Sequence, residues 1–333
     1  MKRARRPKSA GPLEDVLAAV AAAASEPSPP LARAALTQAL ADPSQHAVAR
    51  AAVASERGFT ELEEELCAAF SRFLDDPAES DPNCTAKAAI VLALSSLERP
   101  AWAVFQRGLE HVQIEPSYGA PGGKADTAGG LRGSSAVALA KSRDPEVLNA
   151  LIERLVDPER AARVGAAQAL GVLGVRESIG VLRMKTLTAE PEPEVISECF
   201  LSLLAIDAGP SLAFASGFLA RPGDLALREA AALAIGQSRV PGALEALERA
   251  WAAPGRGELG RAILVAMAIL RQPAATERLI EILRAGELPA AAWALTALAI
   301  HRGDAALRAR AQAAVEAAGS PKRLVELLRQ ELG

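Results

Sequence analysis

The feature that most constrains this chain is an internal repeat. Residues Arg163 to Gly171 read RVGAAQALG, and 65 residues later Arg228 to Gly236 read REAAALAIG. The shared pattern is R-x-x-A-A-x-A-[LI]-G. The same frame fits Arg132 to Leu139 through Ala136 and Ala138, and degenerate copies lie at Cys199–Leu203, Ile263–Met267 and Ala294–Leu298. The large aliphatic of each copy gives six anchors: Leu139, Leu170, Leu203, Ile235, Met267 and Leu298. Their spacings are 31, 33, 32, 32 and 31 residues. A unit of that length holds two helices and cannot bury its own apolar face, so the units must stack.

Composition supports helices throughout. Half of the residues are hydrophobic, aromatics are only 3%, and alanine alone supplies about a fifth of the chain. Alanine is the best helix former, and as a small residue it lets neighbouring helices approach. Alternating apolar patterns are nearly absent, which argues against sheets. Turn signals punctuate the units at Asp157-Pro158, Pro191 to Pro193, Arg221 to Asp224 and Ala253 to Gly255. Proline at a helix start wastes no hydrogen bond, and glycine permits a sharp reversal. The frame predicts an irregular helical N-terminal part over 12–111, an insertion at 112–130, and regular repeats with a C-terminal cap over 131–333. The expected N-terminal helices are Leu13–Ala24, Leu31–Leu40, Ala47–Glu56, Thr60–Leu74, Thr85–Leu97 and Ala101–His111.

The period, the paired helices and the A-A-x-A-[LI]-G signature resemble HEAT repeats. The variety is similar to that of bacterial chains with phycobilin-lyase-type HEAT repeats. The resemblance implies an all-α fold, an α-solenoid of stacked HEAT-like two-helix repeats. It also implies an Asp in the turn and an Arg six residues later, bonding between units. Asp157 and Arg163 match, whereas Ile196 and Gly260 stand at the Arg position of other copies. A polar ladder is therefore expected to be incomplete. Fold alone does not give function.

Charge narrows the partner classes. The formal net charge is −3, and Lys2, Arg3, Arg5, Arg6 and Lys8 crowd the first eight residues. Without those five, 32 basic residues face 40 acidic ones, so the body is about −8. An acidic body argues against a nucleic-acid track, which needs cations to displace counterions. The basic stretch 1–11 is expected to be a disordered tail, with an electrostatic arm for nucleic acid as the alternative. No run reaches the length of a membrane span. The three cysteines, Cys67, Cys84 and Cys199, lack metal spacing and read as reduced small hydrophobes. A cytoplasmic location follows from these absences as an expectation.

Three histidines limit the catalytic motifs that the chain can hold. Among HEAT-like enzymes, deoxyhypusine hydroxylases bind two irons through His-Glu pairs. Here His46, His111 and His301 are followed by Ala47, Val112 and Arg302. A Ser/His or Cys/His nucleophile has no histidine placed near it. The stretch Gly119 to Lys124 lacks the spacing and the preceding strand of a phosphate loop. The expectation is a chain that is not an enzyme, with no catalytic residues, no metal and no cofactor. Trp251 and Trp293 are read as core, with stacking on a base as the alternative.

One segment breaks the period. Leu94 precedes Leu139 by 45 residues, and the excess falls at 112–130. It holds the only tyrosine, with His111, Glu115, Tyr118, Lys124 and Asp126 in or beside it and Arg132 just after. Insertions in solenoids map to one face, often the binding face. Three readings stand: a surface spacer, a partner-contacting loop, or a metal site from His111, Glu115 and Asp126. Pairing of Arg132 with Asp126 is expected from their proximity. Shortening 113–128 is expected to leave the fold intact. The reading that follows is a scaffold holding a protein or peptide partner. Its contacts would be the concave face and His111, Glu115, Tyr118, Lys124, Asp126 and Arg132. The alternatives are a lyase-like accessory acting on a chromophore-bearing or otherwise modified partner, and nucleic-acid binding through the basic arm.

Overall fold

A computed structural model describes residues 12–25, 29–119, 121–221, 223–254 and 257–332. The basic stretch 1–11, Pro222 and Gly255 lie outside the described residues. The chain divides into two compact units, Met1–Leu173 and Gly174–Gly333.

In the first unit the helices run α1 (Pro12–Ser25), α2 (Pro29–Leu40), α3 (Gln45–Ser55), α4 (Glu63–Arg72), α5 (Pro77–Ser80), α6 (Thr85–Ser96) and α7 (Trp102–Glu110). Two short strands follow, β1 (Ile114–Pro116) and β2 (Lys124–Asp126), then α8 (Gly129–Ala140), α9 (Leu148–Arg154) and α10 (Arg160–Leu173). The second unit is α11 (Glu177–Leu187), α12 (Pro193–Ile206), α13 (Ala208–Ala220), α14 (Leu225–Ser238) and α15 (Ala243–Ala252). It continues with α16 (Leu259–Ile269), α17 (Pro273–Ala285), α18 (Ala290–Leu298), α19 (Ala305–Ala317) and α20 (Lys322–Glu331). This is an all-α solenoid of two-helix repeats. Within the second unit α12, α14, α16, α18 and α20 pack side by side as one layer, and α11, α13, α15 and α17 each back onto it.

Each anchor of the repeat sits in the second helix of its unit and is buried: Leu94, Leu139, Leu170, Leu203, Ile235, Met267 and Leu298 are at most 3% exposed. Burying such a side chain is worth about 1.5–3 kcal/mol. The alanine slots explain how the layer closes. Ala166, Ala167, Ala231 and Ala234 are fully buried. Where helices come closest even a methyl group is too large. A Cβ on Gly133 would sit 2.6 Å from the Ala161 carbonyl oxygen, and one on Gly165 would collide with the Gly133 backbone. A Cβ on Gly236 would lie 2.8 Å from Ala266 Cα.

Helix ends follow from the turn residues. Asp224 accepts from Ala226 N at 2.9 Å, and Asp304 accepts from Ala306 N and Leu307 N at 2.9 and 3.0 Å. These caps satisfy amides that have no partner inside the helix. Pro193 and Pro273 open α12 and α17. Gly286 closes α17 with φ +72°, a left-handed turn that glycine takes without strain.

The insertion expected at 112–130 has an antiparallel hairpin at its core. Ile114 pairs with Asp126, Glu115 with Ala125 and Pro116 with Lys124. Alternation over these residues is only three residues long on each strand, too short to register as a strand pattern.

Candidate functional site

The hairpin is anchored by an Asp-to-cation step of six residues that recurs in the first unit. Asp81 and Lys87, Asp126 and Arg132, and Asp157 and Arg163 all share it. The first and second close directly: Lys87 Nζ lies 3.0 Å from Asp81 Oδ2, and Arg132 Nη1 lies 2.8 Å from Asp126 Oδ2. The third is bridged. Asp157 gives its carboxylate to Arg132, with Nε–Oδ2 2.8 Å and Nη2–Oδ1 2.7 Å, a fork-to-fork pair. Arg163 instead donates to the carbonyls of Asp157 and Pro158, both at 2.9 Å. The ladder expected to be incomplete therefore runs further in this unit than Asp157 and Arg163 alone suggested. The reason is that Asp126, 31 residues before Asp157 and so in the repeat frame, is hidden at the end of the insertion, and Asp81, 45 residues before Asp126, belongs to the irregular part.

Asp81 also starts a helix. Its oxygens accept from Ala86 N at 2.7 Å and Lys87 N at 3.0 Å, while Lys87 Nζ reaches Phe73 O at 3.1 Å. Both side chains are wholly buried. Leaving either unpaired would strand a buried charge.

Gln113 joins the two ends. Its Nε2 donates to Asp81 O at 2.9 Å and to Glu115 Oε1, and its backbone N donates to Asp126 Oδ1 at 3.1 Å. Its Oε1 accepts from Cys84 Sγ at 3.3 Å and faces His111 Nε2 at 3.0 Å. Glu115 Oε1 further accepts from Asn83 N at 2.8 Å and Thr127 Oγ1 at 2.9 Å. Arg132 Nη1 also donates to His111 O at 2.8 Å. A continuous polar chain thus leads from Lys87 through Asp81, Gln113, Asp126, Arg132 and Asp157 to Arg163.

The electrostatics follow from burial and bonding. Burial alone would raise the Glu115 carboxyl, but the donors from Gln113, Asn83 and Thr127 hold it below its ordinary range. Asp126 behaves alike: burial opposes ionisation, and the Ala128 and Gln113 amides and Arg132 outweigh it. Burial also opposes the Arg132 charge, and Asp157 and Asp126 more than compensate. Burial lowers His111, so its ring is neutral at pH 7. Burial pushes the Cys84 thiol up to about 12, which keeps it from acting as a thiolate nucleophile.

The structure places the six sequence-predicted residues in two groups. Arg132 and Glu115 are buried, Asp126 and His111 are half-buried, and all four meet in the network. Tyr118 and Lys124 are exposed on the hairpin and join no part of it. The oxygens of Glu115 and Asp126 and the His111 ring are directed at protein partners and do not converge on a shared point. Among the described residues no group of three His, Cys, Asp or Glu could hold a metal. Gln113, Asp81, Lys87 and Asp157 were not singled out as site residues. The six-residue step was legible for Asp81 and Lys87, whereas nothing in the sequence marks Gln113.

The outward side of the hairpin has the opposite character. Val112, Ile114, Pro116 and Tyr118 alternate with the inward Gln113 and Glu115, and all four are exposed. Val112 and Ile114 are 58% and 53% exposed, and Tyr118 is fully so. This is the period-two alternation of an extended strand.

No protein-family model matches the chain, and no curated protein matches it. Among solved structures it is similar to human deoxyhypusine hydroxylase in complex with glycerol, at 18% identity and TM-score 0.33, over 83% of this chain and 97% of that one. It is also similar to the complex of CpcE and CpcF of phycocyanin lyase from Nostoc sp. PCC7120, at 18% identity and TM-score 0.31, over 96% of this chain and 100% of that one. These likenesses bring no activity to this chain. They do correct one expectation. From its missing His-Glu and nucleophile–histidine pairs the chain was expected not to be an enzyme; that expectation does not stand, because the structures it is similar to are a hydroxylase and a lyase complex. Among the described residues no helix is long and apolar enough to cross a membrane.

Proposed function

We propose that the chain holds a protein partner and that the hairpin at 112–128 is its fixed contact point. One observation carries this reading: the inward side of the hairpin is locked by the buried network, while Val112, Ile114 and Tyr118 stand exposed on the other side. Exposed apolar side chains clustered on an element of fixed conformation suit a docking surface, because little is lost in ordering them on binding. Tyrosine offers large contact area and a hydrogen bond with few rotatable bonds. His111, Glu115, Asp126 and Arg132 then act by holding the hairpin, and Tyr118 and Lys124 lie at the contact.

The test combines Val112→Ser, Ile114→Ser and Tyr118→Ala in one variant. It should melt as the parent does and lose the partner retained by the parent in affinity capture from the source cells. If it keeps every partner, the hairpin is not the contact point.

A further inference from the structure

The second-helix layer of the second unit carries an apolar row that ends at a positively charged cavity. The position two residues before each anchor is half-buried in this layer: Leu201, Leu233, Val265 and Thr296. These line one face of α12, α14, α16 and α18 at the repeat spacing. At the α18 end the row meets Trp293. Unlike Trp251, which is buried as expected, Trp293 is half-buried and lines a cavity of about 300 Å³ between α16, α18 and α20.

Arg261 and Arg323 flank that cavity, from α16 and α20. Both are exposed, and neither guanidinium group has a hydrogen bond or ion pair among the described residues. Glu326 also lines it, which leaves one net positive charge at the mouth. The surrounding chain is net negative. Two unpaired guanidinium groups beside an indole therefore form a local positive site on an acidic body. A guanidinium offers a planar fork that matches a carboxylate. The indole offers a flat apolar surface. The cavity volume is at the small end for a ligand pocket and suits one large side chain.

We propose that this cavity binds an acidic peptide segment of a partner protein, seating an aromatic residue against Trp293 with flanking carboxylates on Arg261 and Arg323. The neighbouring aliphatic row on α14 and α16 gives the extended segment a track. A nucleic-acid strand is disfavoured because a polyanion gains its affinity from many cations, and this site has two. The proposal shares with the hairpin reading only the premise that the partner is a protein, and it uses none of the same residues.

The test is fluorescence anisotropy with an end-blocked, labelled peptide of sequence GSEDFEDSG against the full chain at physiological salt. Controls are GSEDAEDSG, GSKKFKKSG and a 12-residue oligothymidine. The expected result is saturable binding of the first peptide, weakened about tenfold or more in GSEDAEDSG, in Trp293→Ala and in the Arg261→Glu, Arg323→Glu double variant. The double variant changes only exposed side chains, and circular dichroism confirms its fold, so the proposal remains testable should Trp293→Ala unfold. It should also take up GSKKFKKSG, which the parent rejects. No binding of GSEDFEDSG up to about 1 mM overturns the proposal, as does equal binding by the double variant or tighter binding of the oligothymidine. The hairpin variant should bind the peptide as the parent does. Loss of capture by the hairpin variant with peptide binding intact separates the two readings.

Discussion

The two units reach the same architecture with different interiors. In the first, Asp81, Lys87, Glu115, Arg132, Asp157 and Arg163 are buried. In the second, the buried polar residues among those described are Ser178, Thr186, Ser202 and Ser211, all uncharged. Its interior is built from aliphatics, alanine against glycine, and a ring cluster of Phe200, Phe214 and Phe218 with centroids 5.1–6.2 Å apart. The nearest thing to a buried pair there is Lys185 with Glu190 at 2.7 Å, where the lysine keeps some exposure. The contrast tracks the insertion. In the second unit, where the period runs uninterrupted, small and large apolar residues interlock without help. Around the insertion and in the two regular copies that follow it, directional bonds between fixed partners set the register. Charged pairs suit that role because a shifted register would strand them.

The largest expected effect tests the charged side of this contrast. Arg132→Ala should destabilise the first unit by about 3–5 kcal/mol, since it leaves Asp126 and Asp157 without their main partner. Hydrogen exchange read unit by unit should show protection lost in α8 and α10, with the second unit little changed. Equal loss in both units would erase the distinction. Replacing 113–128 by a short Gly/Ser turn, which loop entropy alone would tolerate, should destabilise the same unit for the same reason, because it removes Gln113, Glu115 and Asp126.

The packed side breaks by volume. Ala234→Leu and Gly236→Ala should each cost about 1–3 kcal/mol by overpacking α14 against its neighbours. Unchanged denaturation midpoints would show that the layer has slack that the close approach at Gly236 denies.

Acid should separate the units by sign. Glu115 and Asp126 have folded values below their ordinary ones, so their stabilisation is present above about pH 4 and is lost as pH falls through the folded values. His111 is lowered by burial, so the unfolded chain takes up its proton first and the first unit weakens further below about pH 6.5. In the second unit burial raises Glu198, whose ionisation therefore disfavours folding at neutral pH. Lowering the pH through that raised value relieves it. Exchange at pH 7 against pH 5 should show protection falling around the hairpin through His111, falling further below about pH 4 through Glu115 and Asp126, and holding or rising around α12. The reverse order would refute the assignment.

The smallest effect is at the surface. The combined Val112, Ile114 and Tyr118 variant should shift stability by no more than about 0.5 kcal/mol, since these side chains are exposed.

The solenoid was legible because its signal is periodic and redundant. Six anchors, each followed or preceded by small residues, overdetermine the frame, and all six, with Leu94 upstream of the insertion, are buried. Helix ends were legible wherever Asp, Pro or Gly marked a turn. The site was legible only in part. Composition flagged 112–130 as foreign to the repeat, and proximity suggested the pairing of Asp126 with Arg132. It could not show that Glu115 and Arg132 point inward while Val112 and Ile114 point outward. That depends on the pairing register of two three-residue strands, which tertiary partners fix. Gln113 was invisible because a lone glutamine carries no pattern. Trp293 was assigned to the core by the odds that favour an aromatic in an apolar stripe, and its exposure depends on how closely α20 approaches.

The position of the insertion has a consequence for how this chain tolerates growth. The hairpin enters after α7 and ends on Asp126, so Asp126 to Arg132 keeps the spacing of an ordinary step. Its base is clamped by Thr127 N on Gln113 O and its neck by Ser117 N on Gly123 O, both at 2.9 Å. Beyond that neck, Tyr118, Gly119 and Gly122 are exposed, and a Cβ on either glycine would meet nothing within 4 Å. Added length there would meet no packed neighbour, and closure entropy rises slowly with length. The turn is thus a natural graft point, where a foreign domain or reporter could be spliced in while the stack beneath remains in register.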